Sequence, residues 1–259
     1  MSLISEINKT LHDEQTAQKL GDMADAIVMQ MITHIRTCIK SNRCPLSMIQ
    51  HCDISAQTGM PFSFLSIQPA DASGKTAQYI ERDGRKHIVL YDNMMMELLN
   101  AISGTTALED EEVFEHHRKE VALQEFSTGF IGKYDDMVHE LVHMTDGVDW
   151  EAEKANIRAQ TDPYRVRFGA DPAEQSVDEL KNVIAQTRRD LYNRSAHESR
   201  ANFISGLNKL LGAIERGNYT LPDNADEFIW DFADQFCPEY DQTLDEQLRN
   251  IYGRLVDKK

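Results

Sequence analysis

Residues 133–147 read Lys-Tyr-Asp-Asp-Met-Val-His-Glu-Leu-Val-His-Met-Thr-Asp-Gly, and the rest of the chain is best read outward from them. Lys133 to Thr145 reads as a helix. Asp135 and Asp136 fall in its first turn, where carboxylates favour the helix dipole, and Gly147 lies just beyond its end, where a glycine suits the cap. Val138, Leu141 and Val142 anchor this helix in a core. On a helix, positions four apart project from the same face, so His139 and His143 can hold one metal ion. Glu140, one residue on, reaches a water on such an ion rather than the ion itself.

Upstream, Asp13 to Ile39 carries an apolar stripe at helical spacing (Leu20, Met23, Ile27, Met31, Ile35), the mark of core packing. Phe62 to Ile67 turns short and β-like. Two extended runs then flank Asp83-Gly84, a pair suited to the positive φ angles of a type I′ turn. A hairpin is expected, with strands near Thr76 to Arg82 and Arg85 to Tyr91. The second strand is placed to serve as the edge that holds an extended peptide. Met94 to Leu99 and Glu109 to Phe126 look helical; within them, Met94 to Met96 reads as adaptable core and His116-His117 as a solvated helix face. Downstream, Val177 to Arg216 shows apolar residues at three- and four-residue steps, one long helix or two abutting ones. Glu227 to Phe236 and Leu244 to Val256 are two further amphipathic helices, and Trp150 and Trp230 read as packing anchors.

A catalytic zinc needs a third protein ligand and an open position for water. Spacing favours Glu198, in His197-Glu-Ser-Arg-Ala-Asn202 on the following long helix, and leaves Asp149 and Asp146 open; Asp146 is placed more as a partner that orients a ligand imidazole. His197, Arg200, Tyr192 and Tyr164 are candidates for a donor to a developing oxyanion. Asn202, four residues after Glu198, is placed to hydrogen-bond a ligand histidine.

Composition narrows the class. The 259 residues include 27 basic and 43 acidic side chains, a net charge of −16, which argues against nucleic acid and against an anionic membrane surface as partners. No run approaches the roughly 18 apolar residues of a membrane span; the best, Ala26 to Ile32, is short and interrupted by Gln30. The opening MSLISEINKT has Glu6 early and no apolar stretch, so no secretory signal is visible. Cys38, Cys44, Cys52 and Cys237 do not make a disulfide scaffold, and the spacing of the first three around His51 matches no usual zinc ribbon or finger. Reduced thiols and a reducing compartment fit best: cytoplasmic, or delivered into another cell without a classical signal.

The segments HELVHMTDGVDW and HESRANFISG resemble the mitochondrial inner-membrane-associated metallopeptidase family that processes and helps assemble an ATP synthase subunit. The family's motifs correspond to His139 to Asp146, Val148 to Trp150, Glu198-Ser-Arg200-Ala201 and Ser205-Gly206. The resemblance runs loosely from about residue 25 to 210, and only the two motif blocks are specific. It implies a zincin-like α+β fold, mostly helical, with a small antiparallel or mixed sheet, the ligand helix and a long second ligand helix. It further implies a Zn2+ endopeptidase acting on a protein or peptide, with His139, His143 and Glu198 as ligands and Glu140 as catalytic base. Residues 1–216 would form that domain and 217–259 appended helices packed on it. The alternative is a non-catalytic assembly or binding factor of the same fold, stabilised by zinc. Three departures stand out: Tyr91, Gly147-Val148 and His197 occupy positions where the family carries cysteines. The stretch from Glu151 to Ala196 is also longer than the family's.

Overall fold

Five consecutive buried residues, His87 to Tyr91, identify the strand around which the sheet is built. The computed structural model describes residues 3–40, 51–53, 62–68, 77–91, 112, 133–145, 152–160 and 177–258. Its strands are β1 (His51–Asp53), β2 (Phe62–Gln68), β3 (Ala77–Arg82) and β4 (Arg85–Tyr91). The helices are α1 (Leu3–Lys40), α2 (Lys133–Thr145), α3 (152–160), α4 (Val177–Asn193), α5 (Ala196–Glu215), α6 (Ala225–Asp231) and α7 (Asp245–Asp257). A π-helical turn, Phe232–Phe236, continues α6, and a 3-10 turn, Gln242–Leu244, leads into α7. The architecture is α+β and mostly helical, and no helix among the described residues is long and apolar enough to cross a membrane.

The strands form one mixed sheet in the order β1-β2-β4-β3. β2 pairs with β1 antiparallel and with β4 parallel, while β3 and β4 form the expected hairpin. Asp83 and Gly84 take φ of 53° and 69°, the left-handed pair that a type I′ turn requires. The expectation that Arg85 to Tyr91 is an edge strand is overturned: β4 is paired on both sides, and β3 and β1 are the outer strands among those described. Burial differs between the two strands as well. A strand covered on both faces reads as continuous burial, and β4 is buried from His87 onward, whereas β3 grades from buried Ala77 to exposed Arg82.

Opposite pairs share a face, so Ala77 and Tyr79 lie with Leu90 and Ile88, on the side that meets α2. The α2 helix is embedded: Met137, Val138, Leu141, Val142 and Met144 are all fully buried. Its far side packs on α5, and both helices contact α1, whose Ala17, Leu20, Ala24 and Ile27 recur at helical steps. Lys86 Nζ donates 2.6 Å to the carbonyl of Met144, placing a cation on the last carbonyls of α2, where the dipole favours one.

The long helical stretch after residue 176 is two helices, broken at Arg194-Ser195. Ser195 caps α5, its hydroxyl accepting from the Glu198 N–H at 3.2 Å. The C-terminal elements share the core through Phe228, Phe232, Phe236, Leu248 and Ile251. Arg254 of α7 grips Glu14 of α1 with Nε at 2.9 Å and Nη2 at 3.0 Å, a two-pronged ion pair joining residues 240 positions apart. Trp230 is not a packing anchor: it is 76% exposed. Phe228 and Phe232, four apart, take the buried face of their helix, and residue 230 points to the opposite one. Met94 to Leu99, Glu109 to Phe126 apart from Glu112, Trp150, and the side chains of His51, Cys38, Cys44 and Cys52 lie outside the described residues. Cys237 is buried and reduced.

Candidate metal centre

Two helices bring the sequence candidates together. The α2 helix supplies His139 and His143 from one face, and the first turn of α5 supplies Glu198. His139 Nε2 lies 2.8 Å from His143 Nε2, 3.1 Å from Glu198 Oε2, and His143 Nε2 lies 3.2 Å from Glu198 Oε1. The three donor groups lie within 4.8 Å of one another, the only such group of three His, Cys, Asp or Glu among the described residues. Of the possible third ligands, Glu198 is thus the one brought to the imidazoles; Asp146 and Asp149 lie outside the described residues.

Capping explains why the carboxylate arrives there. Ser195-Ala-His-Glu198 is the Ser-x-x-Glu signature of a helix start, in which the glutamate usually folds back onto the cap. Here only the serine half of that exchange operates, and the Glu198 side chain turns to the imidazoles. This signal was present in the sequence and marks the break between α4 and α5. Burial raises the Glu198 pKa, but hydrogen bonds and charge from His139 and His143 outweigh it, so the carboxyl sits well below the usual range. The N-terminal end of α5 favours the same charged state.

The donor set suits zinc. Two imidazole nitrogens and a carboxylate oxygen are an established three-ligand combination, and a tetrahedral shell with bonds of roughly 2.0–2.1 Å sets its corners roughly 3.3 Å apart. The observed separations of 2.8–3.2 Å fall within a few tenths of an ångström of that. Two imidazole nitrogens that close, both facing one carboxylate, need a proton or a cation between them.

Glu140 stands beside this cluster and is held from a direction that the sequence did not reveal. The Tyr79 N–H donates 2.6 Å to Glu140 Oε2. That N–H therefore points away from β4, so Gln78 and Ile80 exchange the bonds with β4 while Ala77, Tyr79 and Glu81 turn their backbone groups outward. Burial raises the Glu140 pKa, the charges of His139 and His143 and the Tyr79 N–H pull the other way, and the balance is upward.

Among the four candidate donors, Tyr192 hydrogen-bonds the Glu198 carboxylate and lies close enough to feel Glu140. His197 is buried and stacks on His143, ring centres 4.0 Å apart. Arg200 points to α1, where Nη1 meets Asp13 Oδ1 at 3.0 Å. Tyr164 lies outside the described residues. Comparison with protein-family models, curated proteins and solved structures finds no match for this chain.

Proposed function

We propose that this chain is a zincin-like, zinc-dependent endopeptidase in which His139, His143 and Glu198 hold the metal and Glu140 is the general base. The observation that carries the reading is the convergence of the three ligand atoms within 4.8 Å beside a buried acid. Zinc bound there supplies Lewis acidity, polarising a carbonyl and lowering the pKa of a water toward neutrality. Glu140, one oxygen fixed by Tyr79, takes the water's proton on its carboxylate and returns it to the departing amine. The Tyr192 hydroxyl, bonded to Glu198, helps to hold that ligand carboxylate in place. The outward backbone groups of Ala77 and Glu81, with the Tyr79 carbonyl, offer an extended peptide a strand to pair with, which makes β3 the substrate edge.

Metal content of the purified protein tests the reading, together with cleavage of an unstructured protein or peptide library in the presence and absence of a chelator. The wild type is expected to carry one zinc per chain and to cleave. His143→Ala and Glu198→Ala should lose the metal. Stoichiometric zinc without cleavage of any peptide would instead favour the non-catalytic, zinc-stabilised factor.

A further inference from the structure

The first turn of α5 carries two charged residues, and only one of them faces the candidate metal centre. Glu198 and Arg200 are two positions apart, roughly 200° around the helix, so they project to nearly opposite sides. Glu198 meets the imidazoles of α2. Arg200 meets Asp13 of α1, whose side chain is 1% exposed. This turn is thus gripped from both sides, by α2 through the candidate ligand and by α1 through an ion pair.

We propose that Asp13 is a positioning residue of the metal site, acting through Arg200 to fix where Glu198 stands. Resting on the zinc reading above, this inference extends it to a residue 185 positions before Glu198 in the sequence.

The argument starts from what an apolar interface fails to specify. The α1–α5 contact is built largely of Ala, Leu and Ile, and apolar burial is non-directional. A buried charged or polar pair can fix the register of helices packed that way, the best-attested use of such a group. Contacts of this kind join α1 to α5. Asn208 Nδ2 donates 3.0 Å to the Ala17 carbonyl, at a point where Gly21 leaves room: a Cβ added there would lie 2.1 Å from Asn208 Nδ2. That pin governs the middle of α5. Arg200–Asp13 governs the end that bears Glu198.

A side chain can adapt to small shifts, but a metal shell tolerates only about 0.5 Å of ligand displacement. Asp13 is also an expensive way merely to stabilise a fold. Its Oδ2 is buried and accepts no hydrogen bond among the described residues, and a buried carboxylate that is only half satisfied contributes little net stability. Its retained role is directional.

The neighbouring residue supplies a matched control. Glu14 is buried on the same helix and carries an equally close ion pair, but to Arg254 of α7. Zinc dissociation constants would be measured by chelator competition on the full chain. The variants are Asp13→Asn, Glu14→Gln, Arg200→Gln and the Asp13→Asn/Arg200→Gln double, all at a temperature where near-UV dichroism is native. Asp13→Asn is expected to weaken zinc binding about tenfold, the scale of lost outer-shell support, and Glu14→Gln to leave it unchanged. The double variant should be no weaker than Asp13→Asn, because both changes cut one linkage. It also carries the test if an unpaired Arg200 prevents the single variant from folding. Wild-type zinc affinity in folded Asp13→Asn or in the double, or an equal loss in Glu14→Gln, would overturn the assignment while leaving the zinc site intact. A wild-type protein that takes up no zinc would overturn both readings.

Discussion

Tyr79 and Glu140 are 61 positions apart in sequence, yet the backbone N–H of the first donates 2.6 Å to a carboxylate oxygen of the second. The bond ties an outer strand of the sheet to the acid beside the imidazoles. It engages one of the two Glu140 oxygens and sets β3 and the acid at a fixed distance.

Glu140→Gln keeps the size of the side chain and an oxygen that can accept from Tyr79. The variant is expected to bind zinc as the wild type does and to lose peptide hydrolysis by about 10²–10⁴-fold, the range for a lost general base. Parallel metal analysis and peptide-cleavage assays check it; undiminished cleavage would remove Glu140 from the mechanism.

Ser195 touches no candidate ligand side chain but organises the turn that bears one. Ser195→Ala should lower stability by about 1 kcal/mol, the usual cost of a lost N-cap. It should also weaken zinc binding, because the Glu198 N–H loses its acceptor and the turn frays. Ser195→Thr should restore both. Urea unfolding and chelator competition measure the pair of effects, and an unchanged affinity in a destabilised Ser195→Ala would separate the cap from the site.

Lys86 bridges sheet and helix. Lys86→Met preserves much of the aliphatic stem and removes the charged donor from the Met144 carbonyl. A loss of about 1–3 kcal/mol is expected, read by urea unfolding of the metal-free protein, so that cation binding does not contribute.

Cys237 gives stability a pH dependence. Burial, with Glu239 adding to it, pushes the thiol from its ordinary value of 9.0 up to about 12. Below the ordinary value both folded and unfolded chains hold the proton, and the contribution is complete. Above it the unfolded chain loses the proton while the folded one keeps it, so stability falls as pH rises toward the folded value, by at most about 1.4 kcal/mol per pH unit. Wild-type unfolding between pH 8 and 10.5 should therefore steepen relative to Cys237→Ala. Equal slopes would mean that the thiol does not titrate this way.

Local signals in the sequence identified local structure well. Asp83-Gly84 announced the hairpin because a type I′ turn depends on its own two residues. The spacing around His139 and His143 announced α2 for the same reason, and Glu198 was placed on the following helix by periodicity. What was not legible depended on pairing partners. Whether β4 is central or outer is decided by β2, which precedes the hairpin and passes over β3 in the order of the sheet; nothing within Arg85 to Tyr91 names that neighbour, although its run of buried side chains hints at cover on both faces. The Tyr79–Glu140 bond and the Arg200–Asp13 pair join segments remote in sequence and leave no periodicity to read. The start of α5 was legible and overlooked, since Ser195 and Glu198 stand at the capping spacing. Trp230 was misread because its size suggested burial, whereas its angular position between Phe228 and Phe232 excludes it.

The fork between Arg254 and Glu14 has a consequence for how the molecule is made. A ribosome adding roughly 5–20 residues per second needs on the order of 10–50 s to travel from one partner to the other. Throughout that interval the acidic pair on α1 stays hydrated, and burying it without its cations is unfavourable. The Glu14 end of α1 therefore cannot be buried with its partner until α7 has been made.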